Sequence, residues 1–547
     1  MSKRNKKKVA LLVTFSLIIA SLGTLSGNAG TQTKKAAAAG VVQISDATSF
    51  WQAVASMNEN TASNVTYQLT ADIDATTGSA VTLVKEFKGT FDGNGKTISG
   101  LHVTSADGNP VGLFGTLNGA KVKNLKIEES YIDIDEDNGA ENVDGAGLLA
   151  GTAKNATITG VQIEGNCSVQ VAHEFGLSKN VGGIVGSATG STFTDCVNKA
   201  NITANASEGV GGIVGSTNGT VEKASNRGEI NGLTTVGGIA GKAENTLTAV
   251  MNYADVHARE DAAGGIVGEF KGNASQIIHA GNNGQITTGY SAKNHFSDPN
   301  TYTDDPHVGG ILGKRTSGSA NKYDIINSYT AKVTGDIEEE DASASNAYST
   351  DYLATGADIS KKVAHSYYLS DGTDAADTTA VTENDFSGGK VAHALYHYAT
   401  DYNWQTMSYG TRGSDYWGQA LVDEEVPVSY NDTNVSELGR KVIRIQFLDY
   451  AVARYHTAEN PADYSDATKY ENPGETGITF TGDYLPEGLA GSTYVLFIED
   501  GSVNGRKVTV GEAMQIQNDT TFYVWINDGT TEEPAALPTP AATPTPV

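Results

Sequence analysis

The sequence predicts an all-β chain wound as a right-handed parallel β-helix, and three observations carry that expectation. First, the phrase Val181-Gly182-Gly183-Ile184-Val185-Gly186 returns at 210–215, 236–241, 263–268 and 308–313, with looser copies at 110–115 and 145–151. The second glycines (112, 147, 183, 212, 238, 265 and 310) stand 26 to 45 residues apart. Self-similarity at such a period signals stacked units, each burying its apolar face only against its neighbours. Second, the apolar residues of a unit fall in three brief stretches, for example 183–185, 193–197 and 201–203, with none of the i, i+3, i+4 spacing of a helical repeat. Third, Asn198, Asn226, Asn252, Asn282 and Asn327 each follow the middle stretch. Asparagine tolerates the left-handed conformation that turns a corner. Its amides, stacked at the strand spacing of about 4.8 Å, can hydrogen-bond along the column as a ladder.

In chain order, Lys3, Arg4, Lys6, Lys7 and Lys8 precede an apolar run from Val9 to Leu22 and then small residues, the pattern of an export signal and spacer over 1–39. The run is shorter than the ~20 apolar residues a membrane span needs, so no span is expected in the mature chain. From Asp46 to Met57, apolar residues at Phe50, Val54 and Met57 have helical spacing, with Asp46 or Ser49 as N-cap. Such a helix would cover the open end of a solenoid, whose edge groups otherwise invite pairing with other chains. The repeats occupy 40–335, with a longer, irregular unit around 289–306. An acidic insertion follows at 336–365, carrying Glu338, Glu339, Glu340 and Asp341. Residues 366–432 read as a closing segment: a strand at Tyr367-Tyr368-Leu369, a short helix from Asp385 to Leu395 capped by Ser387, then many aromatic residues. Alternating stretches at 441–447, 493–498 and 521–526 give a separate small β domain over 438–530, and 531–547 is a Pro/Thr-rich tail.

The net charge of −27 argues against a nucleic-acid partner, because phosphate binding needs Lys and Arg in excess. The only cysteines, Cys167 and Cys196, align with Ile202 and Val161 of neighbouring units, so they sit on adjacent strands out of register and are not expected to bond.

The Gly-Gly-Ile-Val-Gly copies resemble the GLUG motif of bacterial surface and secreted proteins. Residues 87–101 with 111–115 are similar to the first coils of that family. Tyr367-Tyr368-Leu369, Phe386-Ser387-Gly388 and Trp417-Gly418-Gln419 are similar to the segment that closes it. Such arrays also occur in adhesin-like proteins and ahead of the catalytic domain in immunoglobulin-A-cleaving metalloproteases. The resemblance implies display and binding, and it supplies no catalytic residues.

Signatures of chemistry are incomplete. His173-Glu174 begins a zinc-protease motif, but Leu177 stands where the second histidine belongs. Gly95-Lys96-Thr97 lacks the first glycine of a phosphate loop, its place being Thr90, and no Gly-x-Ser-x-Gly elbow occurs. The candidate metal site is Asp133, Asp135 and Asp137 with Asp144, carboxylates on alternate residues that could converge on Ca²⁺. The sixth loop position is Asn138 rather than glycine, which favours a solvated acidic loop. A glycosidase or lyase on a β-helix would cluster carboxylates across adjacent coils; the array offers few, with Asp195, Glu222 and Asp255 at loosely similar places that surface solubility explains as well. Tyr402, Trp404, Tyr416 and Trp417 could stack on sugar rings, or pack over the open end of the solenoid. The resulting expectation is an extracellular or cell-surface, non-catalytic protein presenting a β-helix face to a glycan or a host matrix protein. A polysaccharide lyase or glycosidase is the alternative.

Overall fold

The computed structural model describes residues 40–526 apart from 60–62, 77–81, 105–109, 135–142, 172–177, 206, 273–275, 289–306, 317–320, 322, 333–335, 338–362, 371–379, 399–416, 422, 430–439, 450–467, 475, 482–492, 500–505 and 510–513. The export-signal expectation over 1–39 and the Pro/Thr tail therefore lie outside the described residues. Among those residues, no helix is long and apolar enough to cross a membrane.

The chain is a parallel β-helix. One coil runs through Ser178–Gly182, Val185–Thr189, Thr192–Asn198 and Asn201–Ala204, and the next through Ser207–Gly211, Val214–Thr217, Thr220–Asn226 and Ile230–Gly232. Every strand pairs in parallel with its counterpart one coil on: Val181 with Val210, Val185 with Val214, Cys196 with Ala224 and Ile202 with Ile230. The stacked strands form one long sheet, two eight-stranded sheets and a five-stranded sheet that starts at Ser178. From Ser178 on a coil thus has four strands where three short stretches were predicted, while the two coils from Phe114 to Val171 have three. The repeated phrase is not itself a strand: it ends one strand at Val181-Gly182, turns a corner through Gly183-Ile184 and opens the next at Val185-Gly186. Its isoleucines, Ile184, Ile213, Ile239, Ile266 and Ile311, point inward and are fully buried.

The asparagine ladder is built. The Nδ2 of Asn198 donates to Oδ1 of Asn226, that of Asn226 to Asn252 and that of Asn252 to Asn282, each at 2.8 Å. The remaining amide hydrogen of each goes to a carbonyl two residues on, at Ala200, Gly228, Ala254 and Gly284. Two expectations are corrected here. The ladder ends on Thr330, whose Oγ1 accepts from Asn282 at 3.1 Å, and Asn327 is not a member. Nor are the ladder residues left-handed. Positive φ falls three residues earlier, in a column of Asp195, Lys223, Ala249, His279, Asn327 and His365 that bends the long sheet. Asn327 belongs to that column because Ile326 pairs with Ile278.

Glycine and ladder are coupled. A Cβ on Gly183 would stand 2.3 Å from Gly212 O and 2.4 Å from Asn198 Oδ1. Gly212, Gly238 and Gly265 stand in the same relation to Asn226, Asn252 and Asn282, and Gly310 to Thr330. In the coils of the two looser copies, the ladder position is Ile127 and Ile163 instead.

At the N-terminal end, Ala47–Glu59 (α1) buries Phe50, Ala53, Val54 and Met57 against the first coils. Asp46 is its cap: Oδ1 accepts from Ser49 N at 2.7 Å, while Ser49 Oγ accepts from Asp46 N at 3.0 Å. At the other end, two short helices replace the single one expected. Glu383–Ser387 (α2) is capped by Thr382 in a capping box with Asp385, so the start lies earlier than Ser387. Gly389, at φ 83°, breaks the helix before Lys390–Tyr396 (α3). These helices do not lie over the open end. They pack on the outer flank of the long sheet, where Met251 and Tyr329 meet Phe386, Val391, Leu395 and Trp417 in a cluster separate from the interior core. Asn327 Nδ2 holds α3 there, donating to Leu395 O at 3.0 Å and lying 2.9 Å from His279 Nδ1. That nitrogen accepts, so His279 is neutral with its proton on Nε2. Burial pushes its pKa down to about 3.

The ends of the segment read as an acidic insertion belong to the stack: Asp336–Ile337 pairs with Thr287-Thr288, and Val363–Ala364 with Ile325–Ile326. Beyond the helices, five strands form a mixed sheet over a small core of Ile443, Ile445, Phe447, Phe480 and Phe522. Cys167 and Cys196 are free and buried. Cys196 is level with Val161 as expected, but Val169, not Cys167, is level with Ile202. Burial pushes the two thiols up to about 11 and about 12.

Three outcomes follow. Gly212→Ala should cost well over the ~1–2 kcal/mol expected of Gly95→Ala, where φ is 71° but no atom lies within 4 Å of the added methyl. Denaturant midpoints of the two variants decide this. Both thiols should resist Ellman's reagent in the native protein and react together on unfolding. The unfolded chain takes a proton on His279 near pH 6.5 while the folded chain holds it off to about 3, so stability should fall with acidity across that window. His279→Gln should flatten that slope in denaturation curves measured between pH 7 and 4.

Candidate functional site

The docked helices leave polar space beside the long sheet. The chain passes from Trp417–Gly418 to Val428–Ser429, two strands paired antiparallel, and the turn between them faces the sheet's outer edge. Two adjoining cavities of about 510 and 470 Å³ open there, sharing Asn283, Glu425 and Val426 as walls. Asn384 and Ser387 of α2 and Lys332 line the first; Arg227, Tyr253 and Arg440 line the second. The Arg227 guanidinium lies over the Tyr253 ring, 4.0 Å from its centroid, an arrangement that keeps both groups in fixed orientation. The turn is held from both sides. Glu424 takes Arg440 Nε and Nη2 at 2.8 Å each and Ala420 N at 2.6 Å. Gln419 Nε2 donates to Glu424 O at 2.7 Å and to Phe386 O at 3.0 Å. Carboxylates outnumber cations on these walls, with Asp423, Glu424 and Glu425 at the turn and Glu383 opposite.

Such a groove offers amide, hydroxyl and carboxylate groups at a preformed surface. It can hydrogen-bond a polyhydroxylated ligand and repels a polyanion.

The residues expected to bind a ligand fall elsewhere. Trp417 is fully buried between Tyr329 and its neighbours, with its ring 5.6 Å from that of Tyr329, so it is a packing group and offers no face to a sugar. Tyr402, Trp404 and Tyr416 lie outside the described residues. Of the acidic loop, Asp135 and Asp137 are likewise outside. Asp133 is on strand Tyr131–Ile134, with Oδ1 buried and no hydrogen-bond partner among the described residues, and Asp144 is exposed. His173, Glu174 and Leu177 are also outside.

The acids considered for catalysis do not stack. Asp195 shares its column with Lys223, Glu222 is level with Thr194, and Asp255 stands at the corner before Val256–Ala258. Among the described residues, the group with metal-ligand separations is His393, His397 and Asp519. The two histidines are spaced i, i+4, but the helix expected from the sequence stops at Leu395, so only His393 falls inside it and the pair is not singled out. Asp519, 126 residues from His393, could not be associated with them before the fold was known.

Comparison with known proteins gives partial likenesses. No family model matches the chain. Halomucin of Haloquadratum walsbyi is 33% identical over 145 residues, which is 24% of this chain and 1% of that protein's length. Among solved structures, a candidate immunoglobulin A1 protease from Bacteroides ovatus shares 16% identity at a TM-score of 0.35, covering 71% of this chain and 92% of the other. An IgA1 protease shares 16% identity at a TM-score of 0.32, covering 53% of this chain and 21% of the other.

Proposed function

We propose that this is an exported, surface-displayed binding protein of the GLUG-motif type, and that the groove beside α2 takes a neutral glycan. The observation that carries the reading is the wall of Arg227, Tyr253, Asn283 and Asn384 with the carboxylates of the 423–425 turn. Hydroxyl-rich ligands need donors and acceptors on fixed atoms, and the Arg227–Tyr253 stack and the Arg440–Glu424 pair fix them before any ligand arrives. The export-like N-terminus supports an extracellular setting. The enzyme alternative would need two carboxylates facing each other across a bond, and the stacked-acid arrangement that suggested it is absent from the described coils.

Purified protein on a glycan array should retain neutral glycans in preference to sulfated or uronate-rich ones, with little dependence on salt. Tyr253→Ala and Asn283→Ala should each weaken retention about tenfold or more, from loss of the ring that orients Arg227 or of a wall amide. Equal retention by these variants would remove the groove from the proposal. Release of reducing ends or unsaturated products from any bound polysaccharide would replace a binding role with an enzymatic one.

A further inference from the structure

We propose that His393, His397 and Asp519 form a site for a zinc-class divalent transition-metal ion, which locks the C-terminal β domain to α3. His393 lies in α3 and His397 is its C-cap, so the i, i+4 spacing brings both imidazoles to one face, with centroids 4.3 Å apart. The carboxylate comes from the other domain, at the turn just before strand Thr520–Ile526. Asp519 Oδ2 is 2.8 Å from His393 Nε2 and 3.7 Å from His397 Nε2, and all three atoms lie within 4.8 Å of one another. Nitrogen and oxygen ligands bound tetrahedrally to zinc stand about 3.3 Å apart, between those two separations, so small side-chain adjustments would admit the ion.

The donor chemistry selects the metal class. Two imidazoles and one carboxylate suit Zn²⁺ and its first-row neighbours, whereas Ca²⁺ and Mg²⁺ take oxygen. Supporting contacts orient the carboxylate as outer-shell groups do in metal sites. Asp519 Oδ1 accepts from Arg444 N at 2.9 Å, and Lys441 Nζ fixes the turn through Gln517 O at 2.9 Å. The Tyr470 ring lies against His393, 5.3 Å between centroids. The side chains are 12, 27 and 31% exposed, leaving an open side where water can complete the coordination.

The competing reading is a plain ion pair between domains. One imidazolium suffices for that. A second imidazolium at the same oxygen would be attracted to the carboxylate but repelled by the first, 4.3 Å away between centroids, while a metal ion uses both imidazoles as neutral ligands.

The test uses the full chain, purified without a histidine tag and stripped with EDTA. Titration with Zn²⁺ should show one site per chain and raise the thermal midpoint. Co²⁺ should give the intense visible bands of a tetrahedral site, and Ca²⁺ should displace neither ion. His393→Ala, His397→Ala and Asp519→Asn should each lower Zn²⁺ affinity roughly 100-fold or more. The asparagine variant keeps the shape of the turn, and circular dichroism of each apo variant checks the fold. Absence of zinc binding by the unaltered chain would overturn the proposal, as would tight binding that survives in the His393→Ala/His397→Ala double variant. A thermal midpoint that responds to pH but not to Zn²⁺ would establish the ion pair in its place.

Discussion

The β-helix depends on one steric relation: the second glycine of each repeat leaves the volume that the ladder asparagine of the same coil fills. Strand pairing fixes the rise from coil to coil at about 4.8 Å, so neither partner can retreat along the axis. A methyl group on Gly183, Gly212, Gly238 or Gly265 would meet both the asparagine amide of its own coil and a carbonyl of the next. The asparagine in turn is tolerated in the interior only because its amide finds partners in the ladder and in the backbone two residues on. The asparagine therefore needs the glycine, while the glycine is also required by the backbone of the next coil. The looser phrases at 110–115 and 145–151 accompany isoleucine at the ladder position, and there Gly112 and Gly147 are closed to a methyl by backbone alone, with the carbonyl oxygens of Gly147 and Ile184 at 2.4 and 2.6 Å.

A second column sets the shape of the outer flank. Residues at Asp195, Lys223, Ala249, His279, Asn327 and His365 take left-handed backbone at one level of the long sheet, coil after coil. The cost of about 1–2 kcal/mol for each non-glycine residue is sustained by pairing on both sides of the bend. The bend turns Met251 and Tyr329 outward, which gives α2, α3 and Trp417 an apolar surface to cover. The same column supplies His279 and Asn327, whose bond to Leu395 O seats α3. Seating α3 then presents His393 and His397 to Asp519, and seating α2 forms one wall of the polar groove. Backbone geometry in the repeats thereby decides where side chains 100 residues or more away can meet.

By itself the sequence determined the parallel β-helix, the capping helix at Asp46 to Met57 and the amide ladder through Asn282. All of these are periodic or local, and periodicity is what a chain displays without folding. It misassigned Asn327, because residue type at a regular interval does not reveal register; pairing of Ile326 with Ile278 settles that. The left-handed column was illegible, since Asp, Lys, Ala, His and Asn share no side-chain signature. Only the tertiary structure placed the closing helices on the flank, buried Trp417 there instead of over the open end, brought Arg227 and Tyr253 opposite the 423–425 turn, and joined Asp519 to two histidines far upstream. Those are contacts between segments whose separation along the chain carries no period, and their energy comes from apolar area and paired charges that exist only once the solenoid has wound.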